Sequence, residues 1–190
     1  MLTAITGGIG SGKSVVSKIL AVMGYPVYDC DSRAKQLMDR DEEIKKALCN
    51  EIHADCVRAD GSINRERLSE IVFRDAEALG RLNAIVHAAV RSDLKKWCQT
   101  NFSSERLFVE TAILYQSGLD AMVDEVWSID APTELRIERV MARNSFSRQQ
   151  VEARIASQDS YIPGSLHPQI VRIINDGCIP VLPQIEKILG

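Results

Sequence analysis

Residues 7–14 read Gly-Gly-Ile-Gly-Ser-Gly-Lys-Ser, a complete G-x-x-x-x-G-K-[ST] pattern, and they follow the short apolar run of residues 1–6. Together these predict a strand, a glycine-rich turn and a helix that opens at Lys13 and Ser14. Backbone N–H groups of the turn and of the helix N-terminus then converge on one point, where unpaired donors and the positive end of the helix dipole favour an anion. The pattern implies a bound nucleoside triphosphate. Gly8, Gly10, Ser11, Gly12, Lys13, Ser14 and Val15 are the candidate nucleotide-binding residues. Lys13 supplies a compact cation for the β- and γ-phosphates, and the Ser14 hydroxyl is a candidate Mg2+ ligand.

The rest of the chain reads as alternating strands and helices. The first helix runs to about Met23, with Val15, Val16, Ile19, Leu20 and Met23 on one face and Gly24 as a stop. A second strand covers residues 25–31 and ends in Asp29 and Asp31. Residues 32–50 read as charged helix. Asn64 caps a helix over 65–73, and a long helix spans 76–97. Strands follow at 106–110, 125–130 and 171–174, with helical segments over 132–159 and 181–189. Strands separated by helices predict a parallel sheet covered on both faces. The expectation is a three-layer α/β sandwich of the phosphate-loop NTPase type with about five parallel strands. Residues 32–100 form a helical insert in it, and residues 138–160 an arginine-rich lid.

The chain has 190 residues and 45% hydrophobic composition, enough for a core without staples. A net charge of −3 argues against nucleic acid as the main partner. Five cysteines without a C-x-x-C pair suggest reduced thiols. A phosphate loop starting at residue 7 leaves no room for a leader, and no apolar stretch reaches membrane-spanning length. A cytoplasmic protein with no membrane partner is expected.

Two further patterns bear on chemistry. In an extended segment, Asp29 and Asp31 point to one side at the carboxyl edge of a strand, where an aspartate can orient and deprotonate an acceptor hydroxyl. A turn or helix cap explains the spacing equally well. Arg136, Arg139 and Arg143 share a helical face, with Arg148 and Arg154 beyond them, and such cations can follow charge on a transferring phosphoryl group. Taken alone, pairing with Glu134, Glu138 and Glu152 on a solvated face is the simpler explanation. Glu110 reads equally as a residue near the magnesium or as a polar strand end. His87, among apolar residues of a helix, reads as structural.

The ordered set of segments resembles the dephospho-CoA kinase family, which carries out the last step of coenzyme A synthesis. Residues 5–16, Ile-Thr-Gly-Gly-Ile-Gly-Ser-Gly-Lys-Ser-Val-Val, are similar to the family's LTGGIGSGKSTV. Residues 27–34, Val-Tyr-Asp-Cys-Asp-Ser-Arg-Ala, resemble its VIDAD segment. Residues 60–73, 82–87, 139–143, 153–158 and 174–177 match further stretches, so the likeness covers nearly the whole chain. It implies transfer of the ATP γ-phosphate to the ribose 3′-hydroxyl of dephospho-CoA, with ATP and Mg2+ as the cofactors. By the same likeness Asp31 is the base, and Asp29 supports it or the magnesium shell. Lys13 and Arg139 are catalytic. Arg139 and Arg143 map onto the lid, Asn175 onto a segment near the adenine, and the insert with Arg65 and His87 receives the acceptor. Three positions depart from the family: Val15 stands for threonine, Gln116 for glutamate, and Ala88 for proline. Two other readings fit the residues without the resemblance. One is a small phosphate-loop kinase acting on a nucleoside monophosphate or a shikimate-like alcohol. The other is a nucleotide-dependent switch.

Overall fold

The structure, a computed structural model, describes residues 1–161 and 163–190. Five strands, β1 (Leu2–Thr6), β2 (Val27–Asp29), β3 (Leu107–Glu110), β4 (Glu125–Asp130) and β5 (Ile170–Ile174), form one parallel sheet in the order β2-β3-β1-β4-β5. β1 is central. Ile5 lies beside Glu110 of β3 and beside Trp127 of β4, and Asp130 pairs with Ile174. The chain leaves β1 toward one edge and later returns to the other, so the sheet has its switch point at the carboxyl end of β1, the usual ligand crevice of such sheets.

Helices α1 (Lys13–Val22) and α8 (Val181–Leu189) bring Val16, Leu20 and Ile185 onto Ile5, Phe108, Trp127, Ile129 and Ile173. Alternate strand residues Ala4, Val109 and Val126 are also buried, as expected of a parallel sheet in a three-layer α/β fold. Phe108 meets Trp127 and Tyr25 edge-on, with ring centroids 5.1 and 5.5 Å apart. Helix α1 stops where foreseen: Gly24 adopts φ +92°, and Tyr25 N–H returns to the Leu20 carbonyl.

By contact the chain divides into two units, residues 1–28 with 101–190, and residues 29–100. The second is helical: α2 (Cys30–Arg40), α3 (Glu42–Glu51), α4 (Arg65–Arg74) and α5 (Ala76–Thr100). Its core gathers Ile44, Leu48, Cys56, Ile63 and Leu68, with Leu82, Ile85 and Ala89 of α5 packed on them. Arg33 of α2 binds Asp93 of α5 through both carboxylate oxygens at 2.8 Å.

At three boundaries a cap moves the edge away from the sequence expectation. The second strand ends at Asp29, and Asp31 is already in α2. Asp29 accepts from the N–H groups of Asp31 and Ser32, so it starts the helix there. The helix expected over 32–50 divides at Asp41, whose extended backbone and carboxylate cap α3 through Glu43 and Ile44 N–H. The segment 132–159 divides into α6 (Thr133–Asn144) and α7 (Arg148–Asp159). Ser145 closes α6 at φ 52°, and Ser147 with Gln150 forms a capping box on α7.

Leu48 is fully buried and Phe73 is 90% exposed. Urea unfolding of Leu48→Ala should show a loss of about 2–5 kcal/mol, whereas Phe73→Ser stays within about 0.5 kcal/mol.

Candidate active site

The loop between β1 and α1 has the form an anion seat requires. Gly12 precedes α1 at φ 99°, and no side chain caps the helix, which leaves its N-terminal end open to an anion. Lys13 Nζ donates to the carbonyls of Gly7 (2.8 Å) and Gly8 (3.3 Å), which holds the ammonium across the loop. Ser14 Oγ donates to Glu110 Oε1 at 3.1 Å. Two hard oxygen donors therefore meet at the carboxyl ends of β1 and β3, a set that fits Mg2+. Among the described residues no three His, Cys, Asp or Glu side chains gather to hold a metal. Mg2+ needs no such cage, because it keeps waters and phosphate oxygens in its shell.

Protein groups as well as ligand space explain the glycines. A Cβ on Gly8 would collide with the Arg136 guanidinium, and one on Gly12 with the Asn175 amide. A Cβ on Gly10, at φ +79°, would meet the backbone of Arg136. Asn175, just past β5, donates from Nδ2 to the Ser11 carbonyl at 2.8 Å. Arg139 donates to the Asn175 carbonyl (3.0 Å) and to its Oδ1 (3.4 Å). Arg139, Asn175 and Ser11 thus form one hydrogen-bonded chain, and Asn175 is seen touching the phosphate loop.

The other arginines differ in their surroundings. Arg136 Nε donates to the Ile9 carbonyl at 2.9 Å. Arg143 donates to Asn144 of its own helix end. Arg148 pairs with Glu134 and Glu152, the solvated-face explanation, and Arg154 lies 4.0 Å over the Phe146 ring. Val15 is half-exposed on α1. Gln116, with Gly7, Gly8, Gln158 and Tyr161, lines a groove of about 230 Å³ beside the loop.

In the helical unit, Asp29 and Asp31 do not present two parallel carboxylates from an extended strand. Asp29 is spent on the α2 cap and also accepts from Ser32 Oγ at 2.6 Å, whereas Asp31 lies exposed in the first turn. Arg65, at the start of α4, holds Asp39 at 2.6 Å. Burial, with Arg91 one turn on, pushes the half-buried His87 imidazole below its ordinary pKa of 6.5. His87 is therefore neutral at pH 7 and supplies no fixed charge there. All five cysteines are free thiols, and burial raises the Cys56 and Cys98 pKa values, which keeps both protonated.

With this geometry in place, comparison with known proteins is decisive. The dephospho-CoA kinase (CoaE) family matches residues 1–176. The chain belongs to the dephospho-CoA kinase family. A dephospho-CoA kinase of Porphyromonas gingivalis is 40% identical, with 90% of this chain and 91% of that protein covered. A crystal structure from Thermus thermophilus superposes with TM-score 0.78 at 31% identity, covering all of this chain and 95% of the other. The dephospho-CoA kinase of Campylobacter jejuni shares the fold, with TM-score 0.64 at 24% identity over all of this chain and 98% of that one.

Two residues at this site carried a signal in the sequence that assigned them no role: Arg136 through its spacing with Arg139 and Arg143, and Glu110 through its place at a strand end. Gln158 was not singled out as a site residue, because its contact with the loop joins residues 149 positions apart.

Because the folded protein resists protonating His87, the unfolded state binds more protons as pH falls below about 6.5. Its contribution to stability is present above that pH and is lost as pH falls toward the folded value. Urea unfolding at about pH 7.5 and about pH 5.5 should show a smaller drop in His87→Gln than in wild type.

Proposed function

We propose that the chain transfers the γ-phosphoryl group of ATP to the ribose 3′-hydroxyl of dephospho-CoA, giving ADP and coenzyme A. The observation that carries this reading is the uncapped α1 N-terminus behind Lys13, in a chain that belongs to this kinase family. Family membership favours it over other small phosphate-loop kinases and over a nucleotide switch.

In this reading the loop from Gly8 to Val15 cradles the triphosphate with backbone donors. Lys13 moves from the loop carbonyls to the β- and γ-phosphates. Ser14 and Glu110 would hold Mg2+, which would supply positive charge beside the triphosphate. Arg139, steadied by Asn175, faces the charge that develops on the transferring group, and Arg143 joins it from the lid of residues 138–160. Asn175 also borders the adenine side. Asp31 accepts the 3′-hydroxyl proton as the oxygen attacks the γ-phosphorus, and the bond to the β-phosphate oxygen breaks to release ADP. Support for Asp31 as base comes from its match to the second aspartate of the VIDAD segment and from its exposed, unspent carboxylate. Asp29 acts by starting α2 and thereby setting the position of Asp31. The helical unit receives the acceptor, Arg65 through charge and His87 as a neutral hydrogen-bonding group. The protein works in the cytoplasm. No helix among the described residues is long and apolar enough to cross a membrane.

ADP release from ATP and Mg2+ should depend on added dephospho-CoA. Turnover with a nucleoside monophosphate or another small alcohol instead would replace this reading. Asp31→Asn should retain ATP affinity within about threefold and lose about 100-fold or more in kcat, the usual scale for a general base. Lys13→Ala should weaken ATP handling whatever acceptor is offered. Wild-type turnover by Asp31→Asn would remove Asp31 as the base.

A further inference from the structure

Ile9 of the phosphate loop is bound on three sides. Its N–H donates to Gln158 Oε1 of α7 at 2.8 Å. Its carbonyl accepts from Arg136 Nε of α6 at 2.9 Å. Its side chain packs against the cluster of Ile137, Val140, Val151 and Ile155, which joins those two helices. Arg136 Nη2 is buried and has no hydrogen-bond partner among the described residues, and it lies against Gly8. A buried guanidinium nitrogen left unpaired is costly. Here it is held in place by the Nε bond and by the contact with the loop.

From these contacts we infer that the Ile9 backbone couples the phosphate loop to the α6–α7 pair, with Arg136 and Gln158 as positioning residues for ATP binding. The physical reason is the loop's own flexibility. A turn with glycines at positions 7, 8, 10 and 12 has many accessible backbone conformations, and only one converges its donors on a phosphate. Ile9 N–H belongs to the Gly8–Ile9 peptide and its C=O to the Ile9–Gly10 peptide, so holding both sets the two planes on either side of the Ile9 Cα and, with them, the orientation of Gly8 and Gly10. Gln158 fixes the first plane from α7 and Arg136 the second from α6. Displacing α7 from the loop therefore breaks the Gln158 bond and frees the Gly8–Ile9 peptide. Neither side chain is required to touch substrate, so the cost of losing one falls on pre-organisation of the loop and shows in the KM for ATP. The inference rests on the loop being the ATP site, and wild-type turnover in the same assay reports on that reading separately.

The test compares Gln158→Leu, Arg136→Met and Arg136→Gln with wild type. Gln158→Leu keeps bulk and removes the acceptor. Arg136→Met removes the donor, and Arg136→Gln keeps a neutral donor. Gln158→Leu and Arg136→Met should each raise the KM for ATP about threefold to tenfold, the scale of one hydrogen bond, with kcat within about threefold. Arg136→Gln should restore most of the loss, and the double variant should lose less than the product of the single losses. Equal damage from Arg136→Gln and Arg136→Met would overturn the inference, since it would make charge the operative property. An unchanged KM with only a lowered melting temperature would overturn it as well. Amide exchange in the wild type needs no variant to fold. The Ile9 N–H should be protected, and rapid exchange there would contradict the coupling.

Discussion

Everything functional in this chain depends on the α1 N-terminus being offered to an anion at the carboxyl end of the central strand. β1 is buried between β3 and β4, so its carboxyl end is fixed by hydrogen bonds on both sides. Gly12 turns the chain at a positive φ into α1, and no side chain caps the helix. Val16 and Leu20 then anchor α1 to the sheet core. A rigid helix without a side-chain cap is the preorganised electrostatic element that phosphoryl transfer requires, because the protein contributes chiefly position and charge.

Around that seat the protein fills the space that the loop glycines open. Arg136 lies against Gly8 and Gly10, and Asn175 against Gly12. These contacts give the glycines a second purpose beyond close approach of a phosphate. Together with the Gln158–Ile9 bond they also link the loop to α6, α7 and the end of β5, all within the sheet-containing unit. The helical unit is organised differently, by a core around Leu48 and Leu68 and by the Arg33–Asp93 pair. Asp29, Asp31, Asp41 and Arg65 stand at its helix starts.

Much of this was legible in the sequence because it is local. Apolar runs such as residues 107–110 and 125–130 mark buried parallel strands, and the phosphate loop announces its own turn and helix. Boundaries were lost where a short polar side chain outcompeted the wider pattern. Asp29 drew α2 back over Asp31, Asp41 divided one helix, and Ser147 with its capping box began another. The loop's partners were hidden for a different reason. Asn175 meets Ser11 and Gln158 meets Ile9 only after the sheet has formed, and no periodicity records a contact across such distances in the chain. The arginine face was visible, yet spacing alone could not separate Arg139, bonded to Asn175, from Arg148, held by two glutamates.

The central claim concerns which oxygen receives the phosphate, and the most direct measurement is phosphorus and proton NMR of the product formed from ATP, Mg2+ and dephospho-CoA. The account predicts a new phosphomonoester signal coupled to the ribose 3′ proton, with ADP formed in equal amount. A phosphate coupled to the 2′ proton, a phosphate on another part of the acceptor, or ADP formed without any phosphorylated acceptor would contradict it.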